Sequence, residues 1–133
     1  MTYRRQIRVE FNHCDPAGIV FYPRYFEMTN SLCENFFRDE LGLPYEAMMA
    51  ENTGVPTVRL EAEFKAPSRL GELLTWVLVV ERIGGSSVTF RAEVPGRLTI
   101  RLTLVYAPNL KPAPWTAPLR AALAAHLETP DAT

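Results

Sequence analysis

One long amphipathic segment in a chain otherwise built of alternating stretches restricts the fold more than any other feature. Residues 23–40 carry Tyr25, Phe26, Thr29, Leu32, Cys33, Phe36 and Phe37 at helical spacing. The result is a broad apolar stripe that some other layer must cover. The opposite stripe holds Glu27, Asn30, Ser31, Glu34 and Arg38, with Glu34 and Arg38 one turn apart and spaced to pair. Gly42 and Pro44 end the helix. Residues 44–51 predict a second, short helix that stops near Asn52-Thr53-Gly54.

Everything else reads as strands. Residues 3–11 alternate, with Ile7, Val9 and Phe11 on one face and Gln6, Arg8 and Glu10 on the other. Thr57 to Lys65 sets Val58, Leu60, Ala62 and Phe64 against Arg59, Glu61, Glu63 and Lys65, until Ala66-Pro67-Ser68 breaks it. Residues 72–82 are almost continuously apolar, which predicts a strand covered on both faces, by the helix and by a second subunit. Gly84-Gly85-Ser86 and Pro95-Gly96 are turns into Val88-Phe90-Ala92-Val94 and Leu98-Ile100-Leu102-Leu104-Tyr106. After the proline-rich Asn109–Pro114 loop, Thr116 is the N-cap of a last helix carrying Leu119, Leu123 and Leu127. The tail from Glu128 onward is expected to fray. The order predicts one α+β domain over residues 1–133, a long central helix wrapped by a five-stranded antiparallel sheet.

Bulk properties remove several functions. A net charge of −1 over 133 residues gives no field for nucleic acid or an anionic membrane. No apolar run spans a bilayer, and Met1-Thr2-Tyr3-Arg4-Arg5 lacks a signal-peptide core, so a cytoplasmic protein is expected. His13, Cys14, Cys33 and His126 are metal-ligand types without paired ligand spacing, so no metal is expected. There is no G-x-S-x-G elbow, P-loop or dinucleotide glycine pattern.

The chemistry concentrates in residues 13–26, HCDPAGIVFYPRYF, where a strand passes through a loop into the long helix. Free N–H groups and the dipole at a helix N-terminus favour negative charge or a polarised carbonyl. Pro23 suits the first helical position, and Gly18 permits an unusual backbone conformation or a close approach. Asp15 beside Pro16 is equally consistent with an ordinary Asx turn and with a catalytic carboxylate. His13, two residues earlier, has a tunable imidazole and is a substrate-contact candidate.

The run Phe11-x-His13-Cys14-Asp15-Pro16-Ala17-Gly18-Ile19-Val20-Phe21-Tyr22-Pro23-x-Tyr25 resembles the signature of hotdog-fold acyl-CoA thioesterases, of the 4-hydroxybenzoyl-CoA thioesterase type. Gly54-Val55-Pro56-Thr57-Val58, Ala66-Pro67-Ser68 and Arg82-Ile83-Gly84-x-Ser86-Ser87-Val88-Thr89-Phe90 also fall where that family has similar segments. The resemblance implies that Asp15 attacks the thioester carbonyl or activates water. It implies that the Tyr22 backbone N–H polarises that carbonyl and that Gly18 shapes the loop. Among residues expected to touch substrate are His13, Tyr25 and Asn30. Asn30 stands where the 4-hydroxybenzoyl-specific member has an Asp, so an aromatic or short- to medium-chain acyl group of another kind is expected. Arg82, Lys65 and Lys111 are the candidates for the CoA phosphates. No cofactor is implied beyond the CoA of the substrate, and the site is expected between subunits of a homodimer or homotetramer. The alternative expectation is a hotdog protein that binds an acyl thioester or a partner without hydrolysis.

Overall fold

The computed structural model describes residues 1–128. Strand β1 (Tyr3–Arg8) leads through a 3-10 turn at Phe11–His13 into helices α1 (Pro23–Leu41) and α2 (Tyr45–Ala50). There follow β2 (Thr53–Gly54), β3 (Thr57–Phe64), β4 (Leu73–Ile83), β5 (Ser87–Val94), β6 (Leu98–Val105), β7 (Ala107–Pro108) and α3 (Ala117–Ala124). Five strands form one sheet in the order β1-β4-β5-β6-β3, and β2 and β7 pair in a separate ribbon. All of these pairings are antiparallel. This is the expected α+β layering.

Helix α1 forms where its period and punctuation predict. Pro23 opens it and Gly42 closes it with a left-handed backbone, its N–H donating to the Phe37 carbonyl. Its buried residues are Tyr25, Met28, Thr29, Leu32, Cys33, Phe36 and Phe37. They meet the sheet at its centre: the Phe36 ring lies edge-on 5.3 Å from Phe90, and Tyr25 lies 6.4 Å from Trp76. Each such large side chain gains about 1.5–3 kcal/mol by leaving water. Arg38 pairs at 2.5 Å with Glu46 on α2 rather than with Glu34, tying the two helices together.

Four other details depart from the sequence pattern. Strand β1 ends at Arg8, and Phe11 enters the 3-10 turn fully exposed. There the Glu10 N–H donates to His13 Nδ1 at 2.8 Å, a local bond that outcompetes further pairing. In β4 only Leu74, Trp76, Leu78 and Val80 are buried, whereas Leu73 and Thr75 on the other face are exposed. The helix covers one face, and among the described residues nothing covers Leu73 and Thr75 on the second. Near its end, β4 carries a bulge between Val80 and Arg82, which leaves both Glu81 and Arg82 on the outer face. There Glu81 bridges Arg91 at 3.2 Å and Arg101 at 3.0 Å.

At the C-terminal side the Thr116 hydroxyl accepts the Leu119 N–H, as an N-cap should. Leu127 lies beyond α3 in a bridge to Val80, and Glu128 is anchored rather than frayed. Its N–H donates to the Val80 carbonyl at 2.8 Å and its carboxylate grips Arg91. The rest of the expected frayed tail, residues 129–133, lies outside the described residues. No helix among the described residues is long and apolar enough to cross a membrane.

Candidate active site at the tip of the long helix

Residues 14–20 form a small hairpin. Cys14 bridges Val20, the Asp15 N–H donates to the Ile19 carbonyl at 3.0 Å, and the Gly18 N–H closes the turn on the Asp15 carbonyl at 3.0 Å. A third segment locks it from outside. Val20 N–H donates to the Ser68 carbonyl at 2.9 Å, and Leu70 N–H to the Gly18 carbonyl at 3.1 Å. Gly18 has φ +78°, and a Cβ there would meet nothing within 4 Å. The positive φ calls on glycine's conformational freedom, and no other part of the chain crowds the position.

The hairpin delivers the chain to the helix through one further bond, from the Phe21 N–H to the His13 carbonyl at 2.9 Å. His13 is half-buried, and accepting the Glu10 N–H on Nδ1 puts the proton of the neutral ring on Nε2. Asp15 is also half-buried. Its Oδ1 accepts the Ala17 N–H at 2.8 Å, while Oδ2 has no partner among the described residues. The turn-forming role anticipated for Asp15 is therefore realised, with one oxygen left over.

At the tip itself Tyr22 is the N-cap, and no side chain caps it. Pro23 has no N–H, and the N–H groups of Arg24 and Tyr25 already donate to the carbonyls of Phe21 and Tyr22. The Tyr22 N–H has no partner among the described residues. It is the free donor of the helix end, reinforced by the dipole behind it.

Aromatic rings cluster at this end of the helix. The Tyr22 ring lies 6.1 Å from Phe64 at the end of β3 and 6.4 Å from Phe26 one helical turn on. Tyr25 stacks on Phe64 at 5.7 Å. Val20, Tyr22, Tyr25, Phe64 and Lys65 line a shallow hollow of about 420 Å³ here. Phe26 in turn borders a larger, apolar cavity of about 580 Å³ between α1, α2, β3 and β6, where Asn30 is also found. Burial pushes the Cys33 thiol in its wall up to about 12, and burial likewise raises the Tyr45 phenol. No charged side chain lines it.

The structure thus brings together Tyr22, Tyr25 and Lys65 at the tip, with Asp15 and Gly18 in the hairpin that feeds it, His13 in the 3-10 turn before that hairpin and Asn30 farther along the helix. It leaves Arg82 on the opposite face of the sheet, in a separate hollow with Arg59 and Arg101, and Lys111 exposed after β7. Phe64, Met49 and Leu110 border these spaces without having been singled out. Their signal was weak: a strand-end aromatic, and apolar residues beside Asn52 and Asn109, the residue type that tolerates left-handed turns. Among the described residues, no three His, Cys, Asp or Glu side chains gather as metal ligands would.

A long helix laid across an antiparallel sheet, with a free N–H donor at its N-terminal end and a short hairpin leading into it, is the hotdog arrangement. A model of the thioesterase superfamily matches residues 17–95, and the chain belongs to that superfamily. Asp15 lies just before the matched segment, whereas Gly18, Tyr22, Tyr25, Asn30, Lys65 and Arg82 lie inside it. The chain is 36% identical over 73 residues to the 4-hydroxybenzoyl-CoA thioesterase of Pseudomonas sp. (strain CBS-3). That match covers 53% of this chain and 51% of the relative, so the chain spans about half the length of the curated relative it matches. A solved gentisyl-coenzyme A thioesterase aligns with a TM-score of 0.83 at 25% identity, over 91% of this chain and 99% of that one. A thioesterase-superfamily structure from Jannaschia sp. CCS1 aligns with a TM-score of 0.87 at 25% identity, over 96% and 94%.

Proposed function

We propose that this protein is an acyl-CoA thioesterase that releases free acid and CoA without a metal or organic cofactor. The observation that carries the reading is the unpartnered Tyr22 N–H at the tip of α1, fixed in place before any substrate arrives. A preorganised donor aimed at a developing oxyanion is usually the largest single catalytic term. The thioester carbonyl oxygen sits on that N–H, and Asp15 serves the carbonyl carbon in one of two ways. Either its free Oδ2 attacks, the C–S bond breaks and water then splits the acyl-Asp anhydride, or the carboxylate takes a proton from water as the water attacks. In both cases the thiolate leaves and is protonated, and one water is consumed.

The working unit in this proposal is a homodimer that places the site at its seam, two such dimers giving a tetramer. Support comes from β3, which among the described residues pairs with β6 alone, leaving its other edge open, and which carries the exposed Val58, Leu60 and Phe64. Such an edge is closed most simply by the same edge of a second copy. Lys65 is the cation at the hollow for the CoA phosphates, with Arg82 and Lys111 contributing only from another protomer.

Thiol release from a panel of aromatic and aliphatic acyl-CoAs tests the proposal. Asp15→Asn should lower kcat by about 10²- to 10⁴-fold with acyl-CoA binding retained. Wild-type turnover by that variant would refute the role of Asp15. A second reading, a non-hydrolytic acyl-thioester or partner-binding protein, is favoured by the Oδ1 bond to the Ala17 N–H, which already gives Asp15 a structural task. Tight acyl-CoA binding by the wild type with no thiol released would establish it.

A further inference from the structure

Three non-glycine residues among those described have a left-handed backbone, and they lie together: Asn52 (φ 53°), Asn109 (φ 53°) and Leu110 (φ 60°). The β2–β7 ribbon joins their two turns, and the Asn109 N–H donates to the Asn52 carbonyl at 2.9 Å. Asparagine tolerates this conformation; leucine does so at a steric cost. The surrounding bonds impose it, from the Leu110 N–H to the Ala107 carbonyl at 3.1 Å and from the Lys111 N–H to the Pro108 carbonyl at 3.2 Å. Strain held in this way tends to accumulate where a chain has a task to perform.

The strained turn borders the 580 Å³ cavity. Leu110 lines that space yet is 72% exposed, and Met49 on α2 lines it and is 78% exposed, so the two side chains mark its mouth. The cavity follows α1 from Phe26 to Cys33, about 10 Å at the helical rise, and Phe26 touches Tyr22 at the carbonyl-binding tip. Deep in its wall the Thr29 hydroxyl donates to the Tyr25 carbonyl at 2.8 Å and Cys33 is a neutral thiol, and Asn30 is the one amide side chain on its lining. Met48 and Met49 give it walls that adapt to a flexible occupant.

We propose that Leu110 and Met49 form the length gauge of an alkyl cavity, so that the preferred acyl group is a straight saturated chain extending from the tip of α1 towards the β2–β7 ribbon. This rests on the thioesterase reading for the position of the carbonyl, but not for the existence of the cavity. Each methylene buried inside should raise kcat/KM, and tighten binding, about fourfold. The gain stops where the chain reaches the mouth.

The test uses acyl-CoAs from butanoyl to hexadecanoyl, with benzoyl- and 4-hydroxybenzoyl-CoA beside them. Turnover is followed for the wild type, Leu110→Gly and Met49→Ala, and calorimetric Kd values are measured on an Asp15→Asn background. Leu110→Gly suits the left-handed backbone, and Met49 is exposed, so both variants fold. The expected result is a fourfold rise per methylene to a limit, and a limit reached at shorter chains in both variants, whose mouths no longer cover the last methylenes. Superimposable length profiles for all three proteins, or Kd values indifferent to chain length, would overturn the gauge. Hydrolysis that persists in Asp15→Asn while Kd still tracks length would instead refute the catalytic reading and leave the gauge standing.

Discussion

Strands β3 and β5 flank β6 and carry nearly the same alternating pattern, yet they end in opposite surroundings. In β5 the residues Val88, Phe90, Ala92 and Val94 are buried beneath α1. In β3 every residue is exposed, including Val58, Leu60 and Phe64. The difference is position: β5 is central and β3 is the last strand of the sheet. Alternation states which side chains share a face; it does not state whether anything lies over that face.

The sharpest way to break the comparison is to truncate one aromatic in each strand. Phe90→Ala should cost about 3–5 kcal/mol of unfolding free energy, because α1 cannot collapse into the space left between Phe36 and Phe37. Phe64→Ala in the dissociated protein should cost about 1 kcal/mol, the scale of its stacking on Tyr25. Equal losses in urea titrations would mean that β3 is covered as thoroughly as β5. Next in size is Val58→Lys, a charge on the free edge. Sedimentation velocity should show the proposed dimer replaced by monomer at an unchanged circular dichroism spectrum. A variant that remains dimeric would exclude β3 as the seam.

The smallest effect concerns the β5–β6 turn, which lies beside the end of β3. Arg97 there grips Glu72 at 2.6 Å and also donates to the Pro67 carbonyl and the Ser68 hydroxyl. The Arg97 hydrogen bond, and then the Arg69 N–H, hold the Glu72 carboxyl below its ordinary range. A lowered folded pKa contributes stability that is complete above the unfolded value, about 4.3, and disappears as pH falls through the folded one. Arg97→Gln should therefore lower the melting temperature modestly at neutral pH and flatten its decline below pH of about 4. A melting temperature that falls on acidification as steeply as that of the wild type would detach this pair from acid stability.

How far the sequence foretold the molecule follows from the same contrast. Period and punctuation were sufficient for α1, from Pro23 to Gly42, and for β5 and β6, because each buries its pattern within the chain. They failed at Phe11, where a local His13 bond wins. The β2–β7 ribbon was missed because two residues per strand leave no period to read. For the site, the loop residues were legible one by one. The free Tyr22 donor is different: its availability depends on what Pro23, Arg24 and Tyr25 do with their own nitrogens.

The bulge near the end of β4 has its own consequence. One supernumerary residue resets the parity of the strand, so Ile83 returns to the helix side opposite Val88 although it is an odd number of steps from Val80. The same slip frees Glu81 to clasp two arginines on adjoining strands. Excising Glu81 would restore an even ladder without moving a single apolar side chain to the wrong side. What it would sacrifice is the only carboxylate among the described residues that touches both Arg91 and Arg101, and with it the lateral stitching of three strands.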